Sequence, residues 1–192
     1  MILASRNAHK LVEVRQILGR EDIDLSPGNL GDPVEDDVTF AGNALIKARY
    51  VAERTGEAVI ADDSGLCVDV LGGSPGVFSA RWCGRHGADD ENTDLLLGQL
   101  NDVGDDLRQA KFVCAAVYVS PGQPDIIATG IMPGRLIRER RGEGGFGYDP
   151  IFVPDGYEQT AAELTSREKN SISHRGQAFR ALKAEMTRFG IE

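Results

Sequence analysis

Lysines, carboxylates, amides and one exposed-type aromatic gather in this chain into a few short clusters, each beside a change of hydropathy period. The first is Ser5-Arg6-Asn7-Ala8-His9-Lys10, between an apolar opening stretch and an amphipathic one. Backbone N–H groups at a helix N-terminus attract anions, and Ser5, Asn7 and Lys10 would add hydroxyl, amide and ammonium donors to them. Plain capping of the helix by Ser5 or Asn7 is the competing use of the same residues. A lysine in a first helical turn opposes the helix dipole, by about 0.3–1 kcal/mol, and a bound phosphate would remove that conflict. The loop G-x-x-x-x-G-K-[ST] is absent, so this is no P-loop.

The second cluster, Asp62-Asp63-Ser64-Gly65, follows the apolar run 58–61. Ligands in α/β sheets collect at the carboxyl ends of strands. Neighbouring extended residues point to opposite faces, which predicts that only one of the two carboxylates enters a site. A polar turn is the plain alternative. In the third cluster Asn43 and Lys47 share a helix face, and Glu35-Asp36-Asp37 brings acid toward the helix start. For Asp36 and Asp37 a solvated, dipole-matched role is the preferred reading. The fourth runs from Lys169 to Arg175. His174 and Arg175 open the last helix, where positive charge is unwelcome, so in a chain of net charge -9 they call for an anion or a carbonyl-rich ligand. Thr165 and Glu168 nearby match a capping box.

Gly142, Gly144 and Gly147 satisfy G-x-G-x-x-G, but that fingerprint has meaning only between a strand and a helix. Here it runs into Tyr148-Asp149-Pro150, and Pro150 biases its predecessor away from helix. What remains is a glycine loop presenting Phe146 for stacking and a carboxylate for hydrogen bonding. Taken together, the cations can neutralise phosphates and the acids can hold a metal. Mg²⁺ typically takes one or two carboxylates plus substrate phosphates, which suits Glu35 and Asp63.

The elements that must position these groups alternate between strand and helix. Residues 1–4 read as a short buried strand. A helix over 10–18 carries Leu11, Val14 and Leu18 on one face and stops at Gly19. Thr39 caps a second helix reaching about Arg54, with Phe40, Ala44, Ala48 and Val51 inward. Strands are expected at 58–61 and 66–71, then a leucine-rich helix from Thr93. The run 112–119 is apolar throughout, as in a strand buried on both faces. A turn at Ser120-Pro121-Gly122 pairs it with 126–131, and 134–138 reads as one more short strand. The last helix spans 173–189 and buries Phe179, Leu182, Met186 and Phe189. The fold class is α/β, a mixed sheet flanked by helices, with strand order left open.

At 192 residues, 41% hydrophobic and 27% charged, the chain reads as one globular domain with enough material for a buried core. Its negative charge argues against a nucleic-acid polymer as partner, which needs a cationic footprint, but not against a single nucleotide. No apolar run approaches the ~20 residues of a membrane span, and the polar turn after Met1-Ile2-Leu3-Ala4 leaves no signal peptide to expect. Cys67, Cys83 and Cys114 lack metal or redox spacing and read as reduced thiols of a cytoplasmic protein.

Read in order, Ser5-x-Asn7-x-x-Lys10, Thr39-Phe40-x-x-Asn43-Ala44-x-x-Lys47-Ala48, Ala61-Asp62-Asp63-Ser64-Gly65-Leu66, Gly73-x-Pro75-Gly76, Gly145-Phe146-Gly147-Tyr148-Asp149-Pro150 and Ser173-His174-Arg175-Gly176 resemble the inosine triphosphate pyrophosphatase family. Each motif alone is weak; the ordered set is specific and covers essentially the whole chain. The resemblance implies Mg²⁺-dependent hydrolysis of ITP, dITP or XTP to the monophosphate and pyrophosphate, by a homodimer of elongated, two-lobed α/β subunits with a cleft between the lobes. It implies that Ser5, Asn7 and Lys10 bind the triphosphate with Lys47, that Asp63 is the catalytic carboxylate and a metal ligand, and that Ser64 touches substrate. Phe146, Gly147, Tyr148, Asp149, Lys169, His174 and Arg175 would bind the nucleoside. Glu35 would be the second metal ligand, with Asp36 or Asp37 as substitutes; Arg6 and His9 receive no role. A Maf-like nucleotide pyrophosphatase of other base preference and a non-catalytic nucleotide-binding protein are the rival readings.

Overall fold

A computed structural model describes residues 1–191. In chain order the regular elements are β1 (Ile2–Leu3), α1 (Ala8–Leu18), β2 (Asp24–Leu25), α2 (Phe40–Thr55), β3 (Val59–Val68), α3 (Asp89–Gln99), β4 (Gln109–Val119), β5 (Ile126–Leu136), β6 (Phe152–Pro154), α4 (Ser166–Ile172) and α5 (His174–Arg188). The strands form a six-stranded sheet of order β2-β1-β3-β4-β5-β6. β1 runs parallel to β2 and β3, while β5 and β6 are antiparallel. The six residues between β4 and β5 are too few for a parallel crossover, so these neighbours are antiparallel as well. The sheet is therefore mixed, as composition and order had suggested.

The chain divides into two compact units. The first comprises Met1–Asp63, Cys114–Gly130 and His174–Glu192. Its helices form because apolar residues recur at helical spacing and both ends are punctuated. Asn7 caps α1 and Thr39 caps α2 by accepting from backbone N–H groups, and Gly19 and Gly56 close them in the left-handed conformation that glycine adopts without strain. β1, β3 and the first-unit part of β4 bury both faces. Leu3, Ile60, Cys114, Ala116 and Tyr118 pack against Val14 and Leu18 of α1 and Phe179, Leu182 and Met186 of α5. Ile2, Val59, Ala61, Val117 and Val119 pack against Ala44, Ala48, Val51 and Ala52 of α2. Odd and even positions of β3 thus serve different helix layers, the period-2 rule in a doubly covered sheet.

The second unit comprises Ser64–Val113 and Ile131–Ser173. Its core joins Leu66 and Val68 of β3, Leu96 of α3, Ala110 and Phe112 of β4, Met132 and Leu136 of β5, and Tyr148, Ile151 and Phe152. Phe112 and Phe152 meet edge to face, with ring centroids 4.7 Å apart.

α3 begins at Asp89 rather than Thr93, Phe189, expected on the buried face of the last helix, is 59% exposed, and two expected strand boundaries are absent. Residues 58–61 and 66–71 are not two strands around a turn; Val59–Val68 is one ten-residue strand. Likewise 134–138 is no separate strand, because β5 continues to Leu136. Gly134 permits this continuation, since a Cβ there would collide with Val153 O of β6 and lie 2.7 Å from Phe152 Cζ.

Candidate active site

β3 determines the geometry of the first unit's charged groups. Asp63 follows Val59 and Ala61 on the α2 side, whereas Asp62 follows Ile60 toward α1 and α5. The two carboxylates therefore enter different charge clusters.

On the α2 side, Lys47 Nζ lies 3.1 Å from Asp63 Oδ1 and 3.1 Å from Glu35 Oε2. Asn43 Nδ2, one turn before Lys47, lies 3.5 Å from Asp63 Oδ2. Burial works against the charge on Lys47, but Asp63 and Glu35 outweigh it and its pKa is raised. Asp63 is also raised, chiefly by burial, which Lys47 only partly offsets and Glu35 reinforces. The acidic loop is fastened to the start of α2 by Asp37. Its Oδ1 accepts from Thr39 N and Thr39 Oγ1, each at 2.7 Å, and its own N–H donates to Asn43 Oδ1 at 3.0 Å. Hydrogen bonding from Thr39 lowers the Asp37 pKa. Gly42 makes room for that carboxylate, since a Cβ at 42 would overlap it. Asp37 is thus a capping group, and Glu35 is the loop carboxylate that reaches Lys47.

On the other side, Asp62 is 2% exposed and takes charge from two cations. Lys10 Nζ stands 2.9 Å from its Oδ1, and Arg175 Nε donates to Oδ2 at 3.3 Å. Arg175 Nη1 donates to Glu13 Oε2 at 2.7 Å. Burial opposes ionisation of Asp62, yet Lys10 and Arg175 hold it far below the usual carboxylate range. Arg175 is raised by the same partners against its own burial. The start of α5 is fixed by Gly130 of β5, where a Cβ would overlap His174 O and sit 2.6 Å from Ala178 N. His174 is buried beside it. The unwelcome charge at this helix start is therefore met by internal carboxylates.

In the first cluster, Asn7 Oδ1 accepts from Lys10 N and Ser5 Oγ accepts from Asn7 N, each at 3.1 Å. Both residues serve the helix cap, while the Lys10 side chain reaches Asp62. Ser64, the next residue of β3, belongs to the second unit and is half-buried.

In the second unit the glycine loop owes its glycines to protein packing. A Cβ at Gly142 would lie 2.7 Å from Ala162 C, and one at Gly144 2.7 Å from Ala162 O. Gly144 N donates to that same carbonyl at 3.1 Å. Beyond it, Asp149 Oδ2 accepts from Phe146 N at 2.9 Å and from Lys169 Nζ of α4 at 2.6 Å. Gly145 is required there because a Cβ would overlap Asp149 Oδ2. Lys169 Nζ also sits 5.3 Å from the centre of the Phe146 ring, which is 44% exposed. Gly147 N donates to Asp89 Oδ2 at 3.0 Å. Tyr148 is buried, and its hydroxyl donates to Ser79 O at 2.9 Å. Burial raises the Tyr148 pKa. Of this loop, Glu143 and Phe146 are the side chains turned outward.

Within the first unit, then, Lys10, Lys47, Glu35, Asp63, His174 and Arg175 lie on or beside adjoining elements. Within the second, Phe146 to Asp149 and Lys169 form one knot. Asp62 was named in the second cluster but given no role, and Glu13, Asp89 and Ser79 were not singled out. Of these three only Glu13 carried a signal, its three-residue spacing from Lys10 on α1, and that spacing is common.

A model of the Ham1 family matches residues 1–185. A dITP/XTP pyrophosphatase of Streptomyces coelicolor is 52% identical over 95% of this chain and 94% of its own, and one of Leifsonia xyli is 50% identical over 95% and 92%. Among solved structures, a HAM1 protein from Coxiella burnetii superposes with TM-score 0.87 at 41% identity, covering 97% of this chain and 98% of that one. Sequence match, fold match and the ordered motifs around β3 agree: the chain belongs to the Ham1 family.

Proposed function

We propose that this chain hydrolyses non-standard purine nucleoside triphosphates (ITP, dITP and XTP) to the nucleoside monophosphate and pyrophosphate. The observation that carries the reading is the Lys47 ammonium lying between Glu35 and Asp63, a carboxylate pair built around a positive charge in a family whose relatives are named dITP/XTP pyrophosphatases.

The donor set suits Mg²⁺. Two hard carboxylates share one lysine, so the cluster carries excess negative charge and would repel a polyphosphate unless a divalent cation joined it. Among the described residues no three His, Cys, Asp or Glu side chains form a metal cage, and Mg²⁺ ordinarily needs only one or two carboxylates plus phosphate oxygens. Glu35 and Asp63 would hold it, and when bound it would supply charge neutralisation on the phosphates. Asp36 lies beside them in sequence, and Asp37 is committed to Thr39.

Water attacks the α-phosphorus in line. The bond from that phosphorus to the bridging oxygen breaks, and pyrophosphate leaves with the electron pair. Such transfer depends on positioning and electrostatics more than on covalent chemistry. Asp63 would orient the water and receive its proton. Lys47 and Lys10 take the charge of the polyphosphate, with Ser5 and Asn7 holding the α1 terminus and Ser64 contacting substrate. The base is assigned to Phe146 for stacking, supported by Gly147, Tyr148, Asp149 and Lys169. His174 and Arg175 are assigned as donors toward a 6-keto oxygen; adenine would leave such donors unpaired, a mismatch costly enough for strong discrimination. The reading also carries a homodimer and a cytoplasmic location, the latter supported by three cysteines that form no disulfide. No helix among the described residues is long and apolar enough to cross a membrane.

The test is pyrophosphate release from ITP, dITP, XTP, GTP and ATP with Mg²⁺ and with a chelator. The expected result is release from the first three, lost on chelation. Binding of these nucleotides without release would instead mark a sensor, and equal rates on all five would end the specificity claim.

A further inference from the structure

Asp62 does not share the surroundings of Asp63. It is among the most buried charged residues of the first unit, and its two oxygens are divided between Lys10 Nζ at 2.9 Å and Arg175 Nε at 3.3 Å. Glu13, three residues beyond Lys10 on α1, takes the other arm of Arg175 at 2.7 Å. The four groups form a charge-balanced chain, Lys10–Asp62–Arg175–Glu13, that ties the first turn of α1 to the first turn of α5 through β3. Its only member with appreciable access among the two cations is Lys10, whose side chain is 18% exposed against 6% for Arg175.

We propose that Asp62 is a positioning residue for phosphate binding: it holds the Lys10 ammonium in a fixed place, so that its remaining N–H donors meet the polyphosphate already oriented. The inference rests on the functional reading above and deepens it by dividing the two adjacent aspartates between tasks. Lysine is a flexible four-carbon stem with a rotatable point charge, and at the start of α1 it works against the helix dipole. An ion pair with a buried carboxylate, 2.9 Å from the ammonium, restricts that freedom before the ligand arrives, the general advantage of preorganisation. Arg175 has the complementary role of keeping Asp62 ionised and in plane, since a carboxylate so buried would otherwise be strongly disfavoured.

A double-mutant cycle separates this role from a structural one. Asp62→Asn is expected to raise KM for XTP about tenfold, the equivalent of ~1.4 kcal/mol, with kcat little changed. The inhibition constant of inorganic pyrophosphate rises in parallel. In a Lys10→Met background the same Asp62→Asn change adds less than about twofold, because its effect runs through the missing ammonium. If Asp62→Asn does not fold, Asp62→Glu keeps the charge Arg175 needs while shifting the oxygens away from Lys10, and carries the same cycle. Additive effects, or a loss confined to kcat, overturn the proposal. Wild-type protein that releases no pyrophosphate would defeat the functional reading itself; wild-type activity with additive mutants defeats Asp62 alone.

Discussion

Adjacent carboxylates of the same residue type acquire opposite chemistry here because a strand turns successive side chains to different environments. Asp62 meets two cations and is driven down in pKa; Asp63 meets burial, one shared lysine and a second carboxylate, and is driven up. Divergent environments for paired titratable groups are how one site obtains separate roles from identical side chains. The sequence stated the alternation but let only one aspartate matter, since nothing in Asp62-Asp63 reveals that Lys10 and Arg175, from distant segments, arrive on the second face. The residue that this account makes the base is Asp63. Replacing Asp63 with Asn should remove most turnover while nucleotide affinity stays within about tenfold, or ~1.4 kcal/mol. Steady-state turnover beside equilibrium binding checks this, and near-normal turnover would reject the role.

Elements with strong helical periodicity were legible: α1, α2 and α5 lie within two residues of their expected bounds at most ends, and Gly19, Thr39 and Gly56 cap as their types suggest. β3 was not. Asp, Ser and Gly are turn residues by local preference, so 62–65 broke the strand on paper. In the fold, partners on both faces satisfy the carboxylates and the strand continues, an instance of tertiary context overriding propensity. The glycine loop shows the reverse problem. Its residues fit a dinucleotide fingerprint, whereas packing against Ala162 accounts for Gly142 and Gly144. Close approach matters equally at Gly130, where β5 meets the first turn of α5. Gly130→Ala should cost about 1–3 kcal/mol through overpacking against backbone that cannot step aside, and should raise KM for XTP by disturbing His174 and Arg175. Thermal melting with kinetics checks both; an unchanged melting point would mean that α5 shifts freely.

Over the whole molecule, composition and the ordered motifs led to the right fold class, and the family match over 1–185 agrees with it. What composition could not convey is that each unit has a core of its own, two layers in the first and one in the second. The segments that build each unit are discontinuous, and β3, β4 and β5 each contribute residues to both. We propose residues 1–192 as one functional domain, because the assigned chemistry draws on residues from Ser5 to Arg175. Net charge -9 is compatible with a small anionic substrate only where it is offset locally, and beside Glu35 and Asp63 the proposed Mg²⁺ would supply that offset.

The central claim, hydrolysis at the α-phosphorus, is tested most directly by turnover of XTP in ¹⁸O-labelled water with mass analysis of the products. The label is expected in the nucleoside monophosphate, with pyrophosphate unlabelled. Label in pyrophosphate, or in orthophosphate released singly, would contradict it.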